Sequence, residues 1–231
     1  MRVTIEPRDR SLFVQAIRAT RAAERARTGL HCSTVVHDIA VANGIIKPST
    51  DIDESTGLSF QELGNVIEDV VASALMARFP GWSKPAEIEY RGIKCNLDGW
   101  SPRVKCVDEV KACWKSENSR DDGPFVLLDG ADPNAPLLEP GTGEVVQESP
   151  KFVLYKMQVL FYMAAAADVW GECTWSRLHV LFVNGNYRPP FPDPVTLRLR
   201  PTMREVDANR DLILGHVQDR GPQYWKRITQ S

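Results

Sequence analysis

The chain lacks the features that would place it outside the cytosol. Its 231 residues include only five cysteines, and no two of them form a C-x-x-C pair. This odd, scattered set argues against a disulfide framework and a zinc ribbon, and it favours reduced thiols. The first ten residues contain no apolar signal core, and no apolar run approaches the roughly 20 residues that span a bilayer. We therefore expect a cytoplasmic protein that does not enter a membrane.

The sequence also lacks an excess of positive charge. It has 28 basic and 30 acidic residues, which gives a net charge of −2. Proteins that coat nucleic acid are usually strongly basic, so composition gives no support to that class. A nuclease is still compatible with this balance, because a metal site needs carboxylates and phosphate contacts need only a local basic patch.

Hydrophobic periodicity predicts a single α/β or α+β domain with one central mixed β-sheet flanked by helices. We expect an N-terminal helical extension over 1–58, a core region over 59–200 and a C-terminal helix over 201–231. The extension should contain helices over 8–27 and 37–45. The core region should contain a helix over 59–79, a three-stranded meander over 86–114, a buried helix over 150–170, and strands over 177–188 and 195–200.

The third predicted strand contains the residues that suggest chemistry. Side chains alternate along a strand, so Glu109 and Lys111 emerge side by side on one face. A carboxylate and an ammonium on a central strand are costly unless they are paired or used. Asp98 ends the adjoining strand, just before Gly99, and a hairpin would bring it beside Glu109. The pattern D-x₁₀-E-x-K thus predicts two carboxylates and a lysine in a small space.

Phosphodiester hydrolysis uses this combination of groups. Two carboxylates can hold Mg²⁺, which keeps several of its waters. The metal polarises the scissile phosphate and neutralises charge on the leaving oxygen, while a lysine stabilises the developing negative charge. The alternative is a structural salt-bridge cluster, and this short pattern alone is compatible with both interpretations.

Two helical motifs favour the catalytic interpretation. Gly64 and Glu68 form G-x-x-x-E on the helix before the strands, and Gln158 and Tyr162 form Q-x-x-x-Y on the helix after them. A spacing of four places each pair on one helix face. Gln158 and Tyr162 interrupt an apolar run, so we expect them to meet polar partners in the interior. Taken singly, each is compatible with a satisfied core polar residue.

The ordered motifs resemble the RecB-like branch of the PD-(D/E)XK nucleases, which includes the lambda-type phage exonucleases, over about Ser59 to Tyr162. The resemblance implies a restriction-endonuclease-like core and a Mg²⁺ (or Mn²⁺) site. It implies that Asp98 and Glu109 bind the metal, with the Val110 carbonyl as a third ligand and Glu68 bound directly or through water. Lys111 would then be the catalytic lysine, Gln158 would orient the lysine or the phosphate, and Tyr162 would support Gln158 or touch DNA.

Substrate binding is predicted at the N-terminal side of the chain. The segment His-Cys-Ser-Thr around Ser33 resembles the short serine-containing segment that holds a terminal phosphate in lambda-type exonucleases. Arg18, Arg21 and Arg25 share one face of the helix over 8–27, which is either a phosphate-binding surface or an ordinary solvated face. Lys94, on the strand leading to Asp98, is a further candidate phosphate contact.

Two departures from the family pattern narrow the kind of metal site that we expect. Only Cys173 lies late in the chain, so we expect no iron–sulfur cluster. No histidine has the spacing of the metal ligand that many RecB-like members place before the helical glutamate.

The leading hypothesis is a Mg²⁺-dependent exonuclease that acts at DNA duplex ends in phage-type recombination or repair. It could work with a single-strand annealing or other recombination protein and could form homo-oligomers. The alternatives are an endonuclease on the same core and a catalytically idle DNA-end-binding module.

Overall fold

The computed structural model describes residues 29–47, 60–78, 81–114, 125–126, 147–148, 150–183 and 193–230. The helices are α1 (Cys32–Ala42), α2 (Phe60–Arg78), α3 (Pro150–Trp170) and α4 (Met203–Gln230). The strands are β1 (Ile88–Tyr90), β2 (Ile93–Cys95), β3 (Gly99–Ser101), β4 (Cys106–Trp114), β5 (Phe125–Val126), β6 (Gln147–Glu148), β7 (Trp175–Val183) and β8 (Asp193–Leu199).

A four-stranded sheet in the order β3-β4-β7-β8 organises the described residues. Strands β4 and β7 run parallel over nine residue pairs, whereas β3 pairs with β4 and β8 pairs with β7 in antiparallel fashion. The parallel pairing requires a crossover, and α3 lies between these two strands in the chain and contacts both of them. The predicted α+β class, with a mixed central sheet flanked by helices, is confirmed.

The predicted three-stranded meander is wrong in one respect. Strands β1 and β2 form a separate two-stranded hairpin, and only β3 joins β4 in the central sheet. The second predicted strand, over 93–100, is divided by Asn96, Leu97 and Asp98, which lie outside both β2 and β3. This break lets the chain leave one sheet and enter the other. It also places Asp98 immediately before β3.

Helix α3 lies in the centre of the core. Its residues 159–166 are all buried, and they pack with residues of α1, β2, β3 and α4 in one cluster. The stretch Phe152–Trp170 is long and apolar enough to cross a membrane, so the expectation that no apolar run approaches that length is corrected. Since 61% of this stretch is buried inside the protein, it has the burial expected of a core helix.

The bounds of the helices and strands differ in detail from the sequence prediction. Helix α1 begins at Cys32, five residues before the predicted start at His37. Helices α2 and α3 and strands β7 and β8 form where they were predicted, within a few residues at their ends. The predicted helix over 8–27 lies outside the described residues.

Helix α4 is bent at Gly221, which has left-handed backbone angles (φ 73°, ψ 163°) and precedes Pro222. The Asp38 carboxylate of α1 bonds on both sides of this bend. His216 Nε2 lies 2.7 Å from Asp38 Oδ2, and the Tyr224 hydroxyl donates to Asp38 Oδ1 over 2.5 Å. Burial alone would raise the pKa of Asp38, but the hydrogen bonds from Tyr224 and His216 outweigh burial and lower it. One carboxylate therefore joins α1 to both segments of α4.

Candidate active site

Strand β4 presents Glu109 and Lys111 on the face that packs against α3. The side chain of Glu109 is only 1% exposed and that of Lys111 is 16% exposed. Lys111 Nζ lies 2.5 Å from Glu109 Oε1. The predicted adjacency of this carboxylate and this ammonium is therefore present in the structure, at a position that is almost closed to solvent.

Asp98 joins the same site from the position immediately before β3. Its Oδ2 atom accepts a hydrogen bond from the Val110 backbone N–H over 2.8 Å. Gly99, the next residue, pairs with Asp108 in the antiparallel β3–β4 ladder. The Asp98 carboxylate thus accepts the Val110 N–H bond in place of the backbone carbonyl that a longer β3 would have supplied. As predicted, the hairpin brings Asp98 beside Glu109.

Only one of the two oxygens of the Glu109 carboxylate has hydrogen-bond partners among the described residues. Its Oε1 atom accepts from Lys111 and, over 2.8 Å, from Gln158 Nε2. Its Oε2 atom is buried and has no hydrogen-bond partner among the described residues. Leaving a buried carboxylate oxygen without a partner is unfavourable in a folded protein. The unsatisfied oxygen therefore points to a ligand of this site, and a cation is the species that such an oxygen would bind.

Burial and neighbouring charges shift the protonation of both groups. Burial and the nearby Asp98 and Glu68 carboxylates outweigh the lowering effect of Lys111 and together raise the pKa of Glu109 to about 8. Burial alone would lower the pKa of Lys111, but Glu109, Glu68 and Asp98 outweigh it and raise that pKa. Three carboxylates around one buried ammonium form a region of excess negative charge, which favours a bound cation.

Glu68 lies at the edge of this cluster. It projects from α2, and its Oε1 atom is 3.9 Å from Lys111 Nζ. Tyr155 of α3 lies on another side of the lysine, with the ammonium 5.8 Å from the ring centroid. Glu68 is 22% exposed and Glu109 is 1% exposed, so Glu68 is the more solvent-accessible of these two acids. The structure brings Glu68 into the site, as the G-x-x-x-E motif predicted.

Gln158 and Tyr162 form one hydrogen-bonded chain to Glu109. The Gln158 Nε2 group donates to both Glu109 Oε1 and, over 2.9 Å, the Tyr162 hydroxyl. Both residues are on α3 one turn apart, and Tyr162 is 3% exposed. Because both amide hydrogens are used, the orientation of the Gln158 side chain is fixed. Gln158 and Tyr162 therefore have polar partners in the interior, as the Q-x-x-x-Y motif predicted.

The residues present fit a divalent metal only if water completes the coordination. Among the described residues, no three His, Cys, Asp or Glu side chains are grouped so that they could hold a metal ion. Lys111 occupies the space between Glu109 and Glu68, which keeps Glu68 from joining the other two acids. Mg²⁺ often takes one or two carboxylates and retains several waters, so Asp98 and the free oxygen of Glu109 match its requirements. Coordination by the Val110 carbonyl stays a prediction.

The predicted substrate-binding residues are only partly described. Ser33 lies in the first turn of α1, next to the fully buried Cys32. Burial raises the pKa of the Cys32 thiol, and Cys95 and Glu109 raise it further, so this end of α1 borders the site. Lys94 is paired with Glu87 at 2.9 Å, and a phosphate would have to compete with that carboxylate. Arg18, Arg21 and Arg25 lie outside the described residues.

Sequence reasoning missed a second charged cluster on the opposite face of β4. The Asp108 carboxylate is completely buried and receives hydrogen bonds from four side chains. The donors are Trp82 (2.9 Å), Ser101 (3.3 Å), Arg177 (2.5 and 2.9 Å) and His179 (2.9 Å). The available signal was the pair Arg177 and His179, two residues apart on a strand and so on one face. Local sequence could not show that this face meets Asp108.

The Asp108 cluster has the electrostatics of a satisfied ion pair. Burial would raise the pKa of Asp108, but hydrogen bonds and charge from His179 and Arg177 outweigh burial and lower it. Arg177 also donates to Ser101 Oγ over 2.9 Å, which closes the network between β3, β4 and β7. This side of β4 therefore has the character of a structural element.

No family model and no curated protein sequence matches the chain. Two crystal structures are similar to it. A phage-related exonuclease from Haemophilus somnus 129PT has a TM-score of 0.48 and 14% sequence identity, covering 86% of this chain and 82% of that chain. A second protein, SSO0001, has a TM-score of 0.43 and 10% identity, covering 91% of this chain and 86% of that chain. Both similarities are too low to assign an activity, so function has to be inferred from the site itself.

Proposed function

We propose that the chain is a metal-dependent deoxyribonuclease, and specifically a Mg²⁺- or Mn²⁺-dependent exonuclease that acts at duplex ends. The observation that carries the proposal is the buried, unpartnered Oε2 atom of Glu109, beside Asp98 and Lys111. A purely structural salt bridge would be expected to satisfy both carboxylate oxygens, as Asp108 does one residue away. The order of the motifs along the chain favours the exonuclease form.

The chain's own residues have separate tasks in this proposal. Asp98 and Glu109 would hold the metal, which when bound supplies Lewis-acid polarisation of the scissile phosphate. Lys111, held by Glu109, would place a fixed positive charge where negative charge develops on the phosphorus-bound oxygens. Gln158 would keep the Glu109 carboxylate in one orientation, and Tyr162 would hold Gln158. Glu68 would keep Lys111 charged and tilt it towards α2.

The decisive experiment compares matched linear and covalently closed circular duplex DNA in Mg²⁺, with wild type beside Lys111→Ala. We expect wild type to degrade the linear duplex and leave the circle intact, and Lys111→Ala to lose at least about 100-fold in rate. Lys84→Ala is the matched control, since Lys84 is a surface lysine paired with Asp69 at 3.3 Å and should keep full activity.

The outcomes separate the alternatives. Cutting of the circle would favour the endonuclease form on the same site. An inactive wild type in both Mg²⁺ and Mn²⁺ would contradict the nuclease proposal and favour a DNA-end-binding module. Equal rates for wild type and Lys111→Ala would show that the site has been assigned wrongly, whatever the activity of the protein.

A further inference from the structure

The Asp108 cluster lies directly behind the two carboxylates that the proposed function uses. Asp108 and Glu109 are consecutive on β4, so their side chains leave opposite faces of the sheet. Across the β3–β4 ladder, Asp108 pairs with Gly99, which follows Asp98. The backbone positions of both proposed metal ligands are therefore each one residue away from this Asp108–Gly99 pair.

The side chains around Asp108 hold β3 against β4. Ser101, at the end of β3, donates to Asp108 of β4 and accepts from Arg177 of β7, so side chains link β3 to its neighbour β4 and to β7 beyond it. Trp82 donates to Asp108 and lies so close to Gly99 that a Cβ atom at Gly99 would overlap its ring. The backbone of residues 83 and 100 is also joined by two hydrogen bonds of 3.0 and 2.8 Å. Strand β3 has only three residues, so these contacts supply much of its attachment.

We propose that Asp108, with Trp82, Ser101, Arg177 and His179, is a positioning residue that sets the distance between the Asp98 and Glu109 carboxylates from the back of the sheet. The inference rests on the proposed function, because it concerns the ligands of the proposed metal. If the cluster loosens, β3 shifts along or away from β4, and the Asp98 carboxylate leaves the Val110 N–H. The metal then loses its two-carboxylate binding site although neither ligand has been changed.

The test uses Asp108→Asn in the full chain, with Asp38→Asn as the matched control. Both changes remove the charge of a largely buried carboxylate that is bonded to a histidine and an arginine, but the bonds of Asp38 to described residues go to α4 and not to the proposed site. Calorimetric titration with Mg²⁺ gives the half-saturating concentration, and hydrogen exchange measured by NMR gives the protection of the Val110 amide. Both are measured at a temperature where each variant is folded.

We expect Asp108→Asn to raise the half-saturating Mg²⁺ concentration by about tenfold, the usual size of an outer-shell effect, and to lower the protection of the Val110 amide. Asp38→Asn should change neither quantity, even if its melting temperature falls as far. Ser101→Ala, which removes one donor, should shift both in the same direction by less and serves if Asp108→Asn does not fold.

The proposal is overturned if Asp108→Asn and Ser101→Ala keep wild-type Mg²⁺ affinity and Val110 protection, or if Asp38→Asn shifts both equally. It also fails if wild type binds no Mg²⁺. If wild type binds Mg²⁺ but cuts no DNA, the nuclease function fails alone, because the comparison of metal affinities and amide protection still decides the role of Asp108.

Discussion

The two faces of β4 place their buried acids in opposite electrostatic environments. Asp108 is 0% exposed, both of its oxygens are bonded, and its pKa is lowered. Glu109 is 1% exposed, one of its oxygens has no partner among the described residues, and its pKa is raised to about 8. The two residues are adjacent in sequence and equally buried, so burial alone does not explain the difference. The difference lies in the number and charge of the donors around each acid.

This contrast distinguishes an acid that stabilises the fold from one that is held for a ligand. Around Asp108, Arg177 supplies a cation while Trp82, Ser101 and His179 supply further donors. Around Glu109, one cation is shared among three carboxylates, and a neutral amide supplies the other bond. A site that must accept a cation has to keep uncompensated negative charge, and such a site gives up stability in the metal-free state.

The largest expected effect is on stability. Asp108→Ala leaves Arg177 and three further donors without their acceptor in the interior, and losing one partner of a buried ion pair costs about 3–5 kcal/mol. Glu109→Gln should not lower metal-free stability at pH 7 and should raise it, because wild type has to take up a proton on folding at a carboxyl whose pKa rises from 4.5 to about 8, whereas glutamine needs none. Urea unfolding in EDTA measures both. Equal losses would mean that the two faces do not differ as described.

The next effect is on turnover. Gln158→Ala removes the amide that bonds Glu109 Oε1, and we expect the rate of DNA cleavage to fall by about 100-fold with little change in DNA affinity. Tyr162→Phe removes one hydroxyl and keeps the packed ring, so its rate should fall by less than about tenfold. Single-turnover cleavage and equilibrium binding separate the two effects. If Gln158→Ala keeps the wild-type rate, the α3 pair is only a structural hydrogen bond.

The smallest effect, at most about 1.4 kcal/mol per pH unit for each group, is a pair of opposite pH dependences in metal-free protein. A raised pKa means that Glu109 holds its proton more tightly in the folded state, so its stabilising contribution is complete below its ordinary value of 4.5 and is lost as pH rises through about 8. A lowered pKa gives Asp108 the reverse sign, with a contribution present above 3.8 and lost as pH falls below that value.

Variants isolate each pH dependence. The stability of wild type minus that of Glu109→Gln should fall between about pH 5 and 8, and the stability of wild type minus that of Asp108→Asn should shrink below about pH 4. Denaturant unfolding in EDTA at several pH values measures both differences. A Glu109 difference that rises over the neutral range would contradict the raised pKa.

Much of the candidate site could be predicted from the sequence because its geometry depends on residues that lie close together in the chain. Alternation along β4 puts Glu109 beside Lys111, and a short hairpin returns Asp98 to them, so strand periodicity and a turn are sufficient. The α3 pair follows from helical spacing and from the cost of polar groups in an apolar helix. The Asp108–Arg177 ion pair joins residues 69 positions apart, and it exists only because β4 and β7 pair in parallel with one particular register. No local pattern specifies that register.

The break between β2 and β3 escaped prediction for a related reason. Residues 93–100 are predicted to form one continuous strand, although Asn96 and Asp98 are residue types depleted from strands, and the pattern does not show that the two halves join different sheets. Trp82, 26 residues from Asp108, accounts for part of the outcome because its ring packs on Gly99. Tertiary contacts thus act here together with local propensity.

The bend at Gly221 has a consequence for how the C-terminal end of the chain comes apart. Asp38 bonds to His216 before the bend and to Tyr224 after it, and the Trp225 indole donates back to the Val217 carbonyl over 3.0 Å. Among the described side chains, the last turns of α4 are joined to the body by the Tyr224–Asp38 hydrogen bond and the buried Trp225 ring. Such a segment can detach as a cooperative unit of its own, while the sheet and α3 stay closed. Detachment of this segment would leave the carboxylates on β4 in place.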